Sequence, residues 1–327
     1  MGLTAGSTAS HRLSYSPLVV ERIQYDEFGL FHENAEEFGL PYDGPPTVRR
    51  QRVEVEPGRA LSALVWGSAE PEIVLLHGGA QNAHTWDTVA MALGRPLVAI
   101  DQPGHGHADG PRDGPGGQLA LTGNAEDIAV AIRALAPNAR CVVGMSMGGM
   151  HSIALVGVAP ELVRSLILVD VTPGVTAEKA KAITDFVNGP ASFPSFEELL
   201  ARTKEHNPTR TEASLRRGIL HNAIQLDDGS WEWRYRRFRM PEGSGSAPER
   251  PDYDSLWNIL GGITVPVMLV RGMRPQSVVD DKDEATLLQR VPSARIEHVE
   301  EAGHSVQGDD PLTLARLIDD FVPPAGS

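Results

Sequence analysis

The stretch Cys141–Leu155, CVVGMSMGGMHSIAL, constrains this chain more than any other. A short apolar run, enough for one buried strand, breaks at Gly144, Ser146 and Gly148 and continues with apolar residues at helical spacing. A strand that turns so sharply into a helix brings two backbones together. The flanking positions must then be small, and the apical residue is held with its side chain above the sheet edge. The helix that follows aims free N–H groups and the positive end of its dipole at charge forming near that apex. Ser146 in this setting is read as a nucleophile, in preference to a mere packing turn.

The rest of the chain supplies a sheet for such a turn. Short apolar runs bounded by glycine or proline alternate with helical patterns, which marks an α/β domain with a mainly parallel sheet. TVRRQRVEVEPG and ALSALVWG read as an antiparallel first pair, followed by EIVLLHGG, PLVAIDQPG, RCVVGMS, SLILVDVTPG, VPVMLVRG and ARIEHVEEAGH, eight strands in all. Residues 1–47 precede the first strand as an extension, either an ordered arm or a loose leader. From 174 to 262 the strand runs stop, and the segment is too long for a loop. It is read as an inserted helical cap between two parts of a core, 48–173 and 263–327.

Four motifs in order resemble the α/β-hydrolase family: LLHGGA, its oxyanion loop; DQPGHGHAD, its glycine-rich turn; GMSMGG, its nucleophile elbow; and EEAGHSVQGDDP, its histidine loop. The flavour is that of the cap-bearing esterase, perhydrolase and C–C hydrolase branch. The resemblance implies an eight-stranded, mostly parallel sheet with flanking helices and a cap. It also implies His304 as the base that activates Ser146, and backbone N–H groups of Gly79 and Met147 as donors to an oxyanion. His77 is expected to brace its loop and His151 to pack within a helix. The family's acid usually follows the seventh strand, but Pro275 stands at that position. Asp170, ending the sixth strand, is the favoured replacement because neighbouring strand ends open onto one crevice. Asp280 or Asp281 is the second choice, and orientation of the histidine by Ser277 the third.

Met145 beside the serine, His84, Trp231 and Trp233 are candidate pocket residues and point to an apolar small-molecule substrate. With 43 acidic against 29 basic residues, a formal charge of −14 disfavours nucleic acid and anionic membranes. No run is long enough to span a bilayer and no secretory pattern opens the chain, so a cytoplasmic location is expected. The single Cys141 reads as core. No phosphate, nucleotide or metal motif occurs, so no cofactor and no metal are expected. The expected reaction is cleavage of an ester-like carbonyl through an acyl-enzyme. C–C bond hydrolysis, lactone opening and perhydrolysis use the same groups, and a non-hydrolytic receptor or a lyase or cyclase is the alternative of another class.

Overall fold

The computed structural model describes residues 22–111, 121–235 and 253–322. Its central sheet is built from β1 (Val48–Glu56), β2 (Arg59–Trp66), β3 (Ile73–Leu76), β4 (Leu97–Asp101), β5 (Cys141–Met145) and β6 (Leu166–Val169). Three short strands, β7 (Ser192–Phe193), β8 (Ala223–Gln225) and β9 (Trp231–Trp233), form a separate antiparallel sheet. The chain then returns to the central sheet with β10 (Val267–Gly272) and β11 (Arg295–Val299). The spatial order is β1-β2-β4-β3-β5-β6-β10-β11. The β1–β2 and β2–β4 pairs are antiparallel and the remainder parallel. All eight anticipated strands are present.

The inner strands are apolar throughout because helices cover both faces. In chain order the helices are α1 (Phe31–Phe38), α2 (Asp87–Leu93), α3 (Leu121–Leu135), α4 (Met147–Val158), α5 (Lys181–Val187), α6 (Phe196–His206), α7 (Glu212–Asn222), α8 (Tyr253–Gly261), α9 (Asp281–Arg290), α10 (Val306–Asp309) and α11 (Pro311–Phe321). One core joins Val74, Val142 and Leu168 to Ile132, Ile153, Leu260 and Leu287 from α3, α4, α8 and α9. The opposite core joins Leu75, Val143 and Val169 to Phe31, Val89, Leu314 and Ile318 from α1, α2 and α11. Burying each such side chain contributes roughly 1.5–3 kcal/mol, which holds the strand ends in a fixed relation.

Two expectations change, and one left open is decided for residues 22–47. The insertion is not wholly helical: Trp231 and Trp233 alternate along β9, and strand pairing turns both toward one small core. Within the span assigned to it, α8 belongs to the main body, where Leu256, Trp257 and Leu260 pack with the α4 side of the sheet. Residues 22–47 form an ordered arm, because Phe31 is buried against Trp66; the first 21 residues lie outside the described ones. So do residues 236–252, which include the end of the arginine-rich stretch and the glycine-serine-proline stretch.

Candidate active site

The strand-to-helix turn places Ser146 between β5 and α4 at φ 50° and ψ −118°. A non-glycine residue in that region carries about 1–3 kcal/mol of strain. The packing that enforces it is visible at Gly148. A Cβ there would stand 2.3 Å from the carbonyl oxygen of Leu76 and 2.6 Å from that of His77. Only glycine lets α4 rest on the end of β3, and that contact holds the turn in its sharp form.

His304 sits in the loop between β11 and α10. Its backbone is brought close to β10 at Gly272, where a Cβ would meet the carbonyl oxygen of Gly303 at 2.1 Å. A carboxylate only accepts, so His304 Nδ1–H donates to Asp170 Oδ2 at 2.8 Å. Nε2 then accepts from the Ser146 hydroxyl at 3.0 Å. The result is a continuous Ser146–His304–Asp170 hydrogen-bonded chain across three strand ends.

Asp170 follows β6 and is fully buried. The loop after β10, where the resemblance would put an acid, instead supplies donors to it. Gly272 N–H and the Ser277 hydroxyl donate to Oδ1 at 3.0 and 2.6 Å, and Val278 N–H donates to Oδ2 at 3.0 Å. Four donors in all fix the carboxylate in place. Ser277 therefore touches the acid and not the histidine. Asp280 is spent as the N-cap of α9, in a reciprocal capping box with Asp283, and pairs with Lys179; this hydrogen bond with Lys179 holds its pKa down at about 2. Asp281 pairs with Arg271. The structure brings together Ser146, His304 and Asp170 and engages the later pair elsewhere.

Gly79 and Met147 meet beside the serine: a Cβ on Gly79 would lie 4.0 Å from Met147 Cβ and Sδ. The loop bearing Gly79 is braced on three sides. Gln102 N–H donates to His77 Nε2, so His77 Nδ1–H donates to the Gly78 carbonyl. Ala80 N–H donates to His105 Nε2. Gly78 N–H donates to Gln81 Oε1, which also accepts from Gln307 Nε2. Burial lowers the pKa of His77 to about 4, so it braces as a neutral ring. His151 is packed in α4 between Gln102 and Asn124, and burial lowers it to about 3. Gln81 and Gln307 had no sequence signal, since a single amide in a loop carries no pattern.

The pocket candidates separate. Met145 is 1% exposed and belongs to the core beneath the sheet rim, its sulfur lying against Gly78. Trp231 packs edge-to-face on Phe196 in the insertion's own core. Trp233 and His84 do line a cavity, but one with arginines and carboxylates around it, not the apolar pocket expected. His84 Nδ1 and Nε2 contact Asp87 and Glu27 at 2.8 and 3.0 Å. Burial opposes charge on His84, yet Asp87 and Glu27 outweigh it and lift its pKa to about 9. Burial likewise opposes charge on Glu27, but hydrogen bonds from His84 and Arg50 hold it at about 2. His84, Asp87 and His221 bring possible ligand atoms within 4.8 Å of one another. The two imidazoles, however, are stacked with centroids 3.8 Å apart and planes 12° from parallel. In-plane lone pairs of stacked rings do not converge on one cation, so the group fits an ion-paired stack and not a metal centre.

Residues 71–311 match the α/β-hydrolase-fold family, and the chain belongs to it. It is 43% identical to the esterase Rv0045c of Mycobacterium tuberculosis, over 90% of this chain and 94% of the relative. A solved structure of that esterase matches with a TM-score of 0.78 at 40% identity, covering 92% of this chain and all of the other. A putative 2-succinyl-6-hydroxy-2,4-cyclohexadiene-1-carboxylate synthase of Bacillus subtilis is 26% identical over 78% of this chain and 91% of its own. No helix among the described residues is long and apolar enough to cross a membrane.

Proposed function

We propose that this chain, an ester hydrolase of the α/β-hydrolase family, cleaves carboxylic esters through an acyl-enzyme on Ser146. The observation that carries the reading is the unbroken hydrogen-bond chain from Ser146 Oγ through His304 to Asp170. As Ser146 Oγ attacks the ester carbonyl carbon, its proton passes to His304 Nε2, and the new imidazolium is held by Asp170 through Nδ1–H. Negative charge gathers on the former carbonyl oxygen, and the backbone N–H groups of Gly79 and Met147 are the donors assigned to it. Collapse of this tetrahedral species expels the alcohol, which takes the proton from His304. Water then attacks the acyl carbon with His304 again as base, releasing the acid and restoring Ser146.

Asp170 takes the acid's role from a position displaced along the sheet. It can do so because β6 and β10 are adjacent and the loop after β10 lends donors in place of an acid. Residues 174–235 are assigned the part of a cap over the crevice, and the protein is assigned to the cytoplasm from its sequence. The name of the mycobacterial relative supports an ester over a C–C bond as the target. The test is labelling with a serine-directed fluorophosphonate, with the modified peptide identified by mass spectrometry, beside a screen of esters, thioesters and lactones. A label on Ser146 with burst kinetics on a para-nitrophenyl ester is expected. Ester turnover by a protein that takes no label, or takes it elsewhere, overturns the mechanism.

A further inference from the structure

A cavity of about 200 Å³ lies between α7 of the insertion, the segment after the Gly79 loop, and the loop after His304. It adjoins the reacting groups. Ser305, next to His304, and Gln307 form part of its wall, and Gln81 forms another. Gln81 Oε1 and Ser146 Cβ both approach Gly78, at 3.1 and 3.4 Å from where a Cβ on that glycine would be.

Two features define what this cavity can hold. Asp87 Oδ1, Gln307 Oε1 and Arg217 Nη1 make no hydrogen bond within the protein, although their side chains are nine-tenths or more buried and line this space. Buried polar atoms of this kind call for a polar occupant. The charges around the cavity are also unevenly paired. Arg217 is within ion-pair distance of Glu37 and Glu33, and His84 of Asp87 and Glu27. Arg210 donates to the Ser214 hydroxyl and has no carboxylate within ion-pair distance among the described residues. Burial lowers its pKa by more than Asp309 and Glu37 restore.

A guanidinium with no ion pair of its own among the described residues fits one negative charge. We propose that the cavity binds the free carboxylate of an ester substrate, with Arg210 as its counter-charge. This rests on the acyl-enzyme reading and narrows it to esters that carry a carboxylate on one side of the scissile bond. Asp87 in the same wall disfavours a dianion such as phosphate, and it and Gln307 offer acceptors to a hydroxyl or amide beside the carboxylate.

The experiment compares kcat/KM for mono-para-nitrophenyl adipate with that for its neutral methyl diester, in the wild type, Arg210→Gln and Arg210→Lys. The wild type should prefer the charged ester by roughly tenfold or more, chiefly through KM. The preference should collapse toward unity in Arg210→Gln and largely return in Arg210→Lys. A ratio measured on one preparation does not depend on the fraction of protein that folds. A second arm uses Ser146→Ala, in which monomethyl adipate binding by calorimetry should weaken roughly tenfold on adding Arg210→Gln. A wild-type ratio near one, or a ratio unmoved by Arg210→Gln, overturns the carboxylate site and leaves the acyl-enzyme reading standing. Turnover retained by Ser146→Ala overturns that reading, and the calorimetric arm then still judges the site.

Discussion

Asp101 and Asp170 stand at the ends of two strands of one sheet, and both are fully buried. Asp101, ending β4, takes Arg50 on Oδ2 and the backbone N–H groups of Ala83 and His107. Burial would raise its pKa, but Arg50 chiefly holds it below the usual carboxylate range. Asp170 takes backbone and hydroxyl donors in the same manner, but its remaining partner is a titratable ring that reaches a serine. The difference teaches that a buried strand-end carboxylate is structural when its counter-charge is permanent. It can serve chemistry when its partner can gain and lose a proton.

The sharpest way to break this contrast is to remove the group that exchanges the proton. Ser146→Ala should lower kcat by roughly 10⁵–10⁶-fold with an unchanged fold, read by steady-state kinetics beside circular dichroism. Near-native turnover would leave Asp170 with no chemistry to support. Next, Asp170→Asn should lower kcat roughly 10⁴-fold, because the amide favours the wrong histidine tautomer. Asp101→Asn should instead cost about 3–5 kcal/mol of stability by leaving Arg50 partly unpaired, with kcat per folded molecule near wild type. If the two substitutions exchange these signatures in denaturation and active-site titration, the contrast fails.

The pH dependence of stability sharpens it further. His84 is raised from 6.5 to about 9, so its ion pairs stabilise the fold fully below pH 6.5 and are lost as pH rises through 9. Asp101 is depressed, so its contribution is present above the unfolded carboxylate value and lost as pH falls through the folded one. Melting temperatures across pH 3–10 should show His84→Gln flattening the alkaline limb, by on the order of 2 kcal/mol, and Asp101→Asn flattening the acid limb. An alkaline limb untouched by His84→Gln would refute the charged His84–Asp87–Glu27 assembly. The smallest effect is expected at the carboxylates outside the comparison. Asp280→Asn and Asp281→Asn should change kcat less than about twofold, since asparagine caps a helix almost as well and an exposed ion pair contributes at most about 1 kcal/mol. A large kcat loss at either would return the acid's role to the later pair.

The strands, the serine turn and the histidine loop were legible in the chain because each is a local pattern. An apolar run, a glycine two residues either side of a serine, and a glycine before a histidine are each written in a few consecutive residues, even where the contact that needs the glycine, such as Gly148 on the carbonyls of Leu76 and His77, is made across the sheet. His77 as a brace of its loop and His151 as a packed helix residue were readable from their places in those motifs. The sheet within the insertion was not, since runs of two or three residues carry no period and form strands only by pairing with one another. Nor was the arm's order, which rests on Phe31 reaching Trp66 and on Tyr25 and Glu27 reaching His221 and His84.

By itself, then, the sequence determined the sheet, the position of Ser146 and His304, and the short set of carboxylates that could serve them. Tertiary structure alone brought one of those carboxylates, Asp170, within hydrogen-bond distance of His304 and gave Met145 and Trp231 to cores. It also assembled the polar cavity beside the site from Arg210, Arg217, Asp87 and Gln307, residues up to 220 positions apart. The physical reason is range. A turn or a strand is governed by neighbours along the chain, whereas the partner of a buried charge is whichever group the packed sheet and helices bring within hydrogen-bond distance.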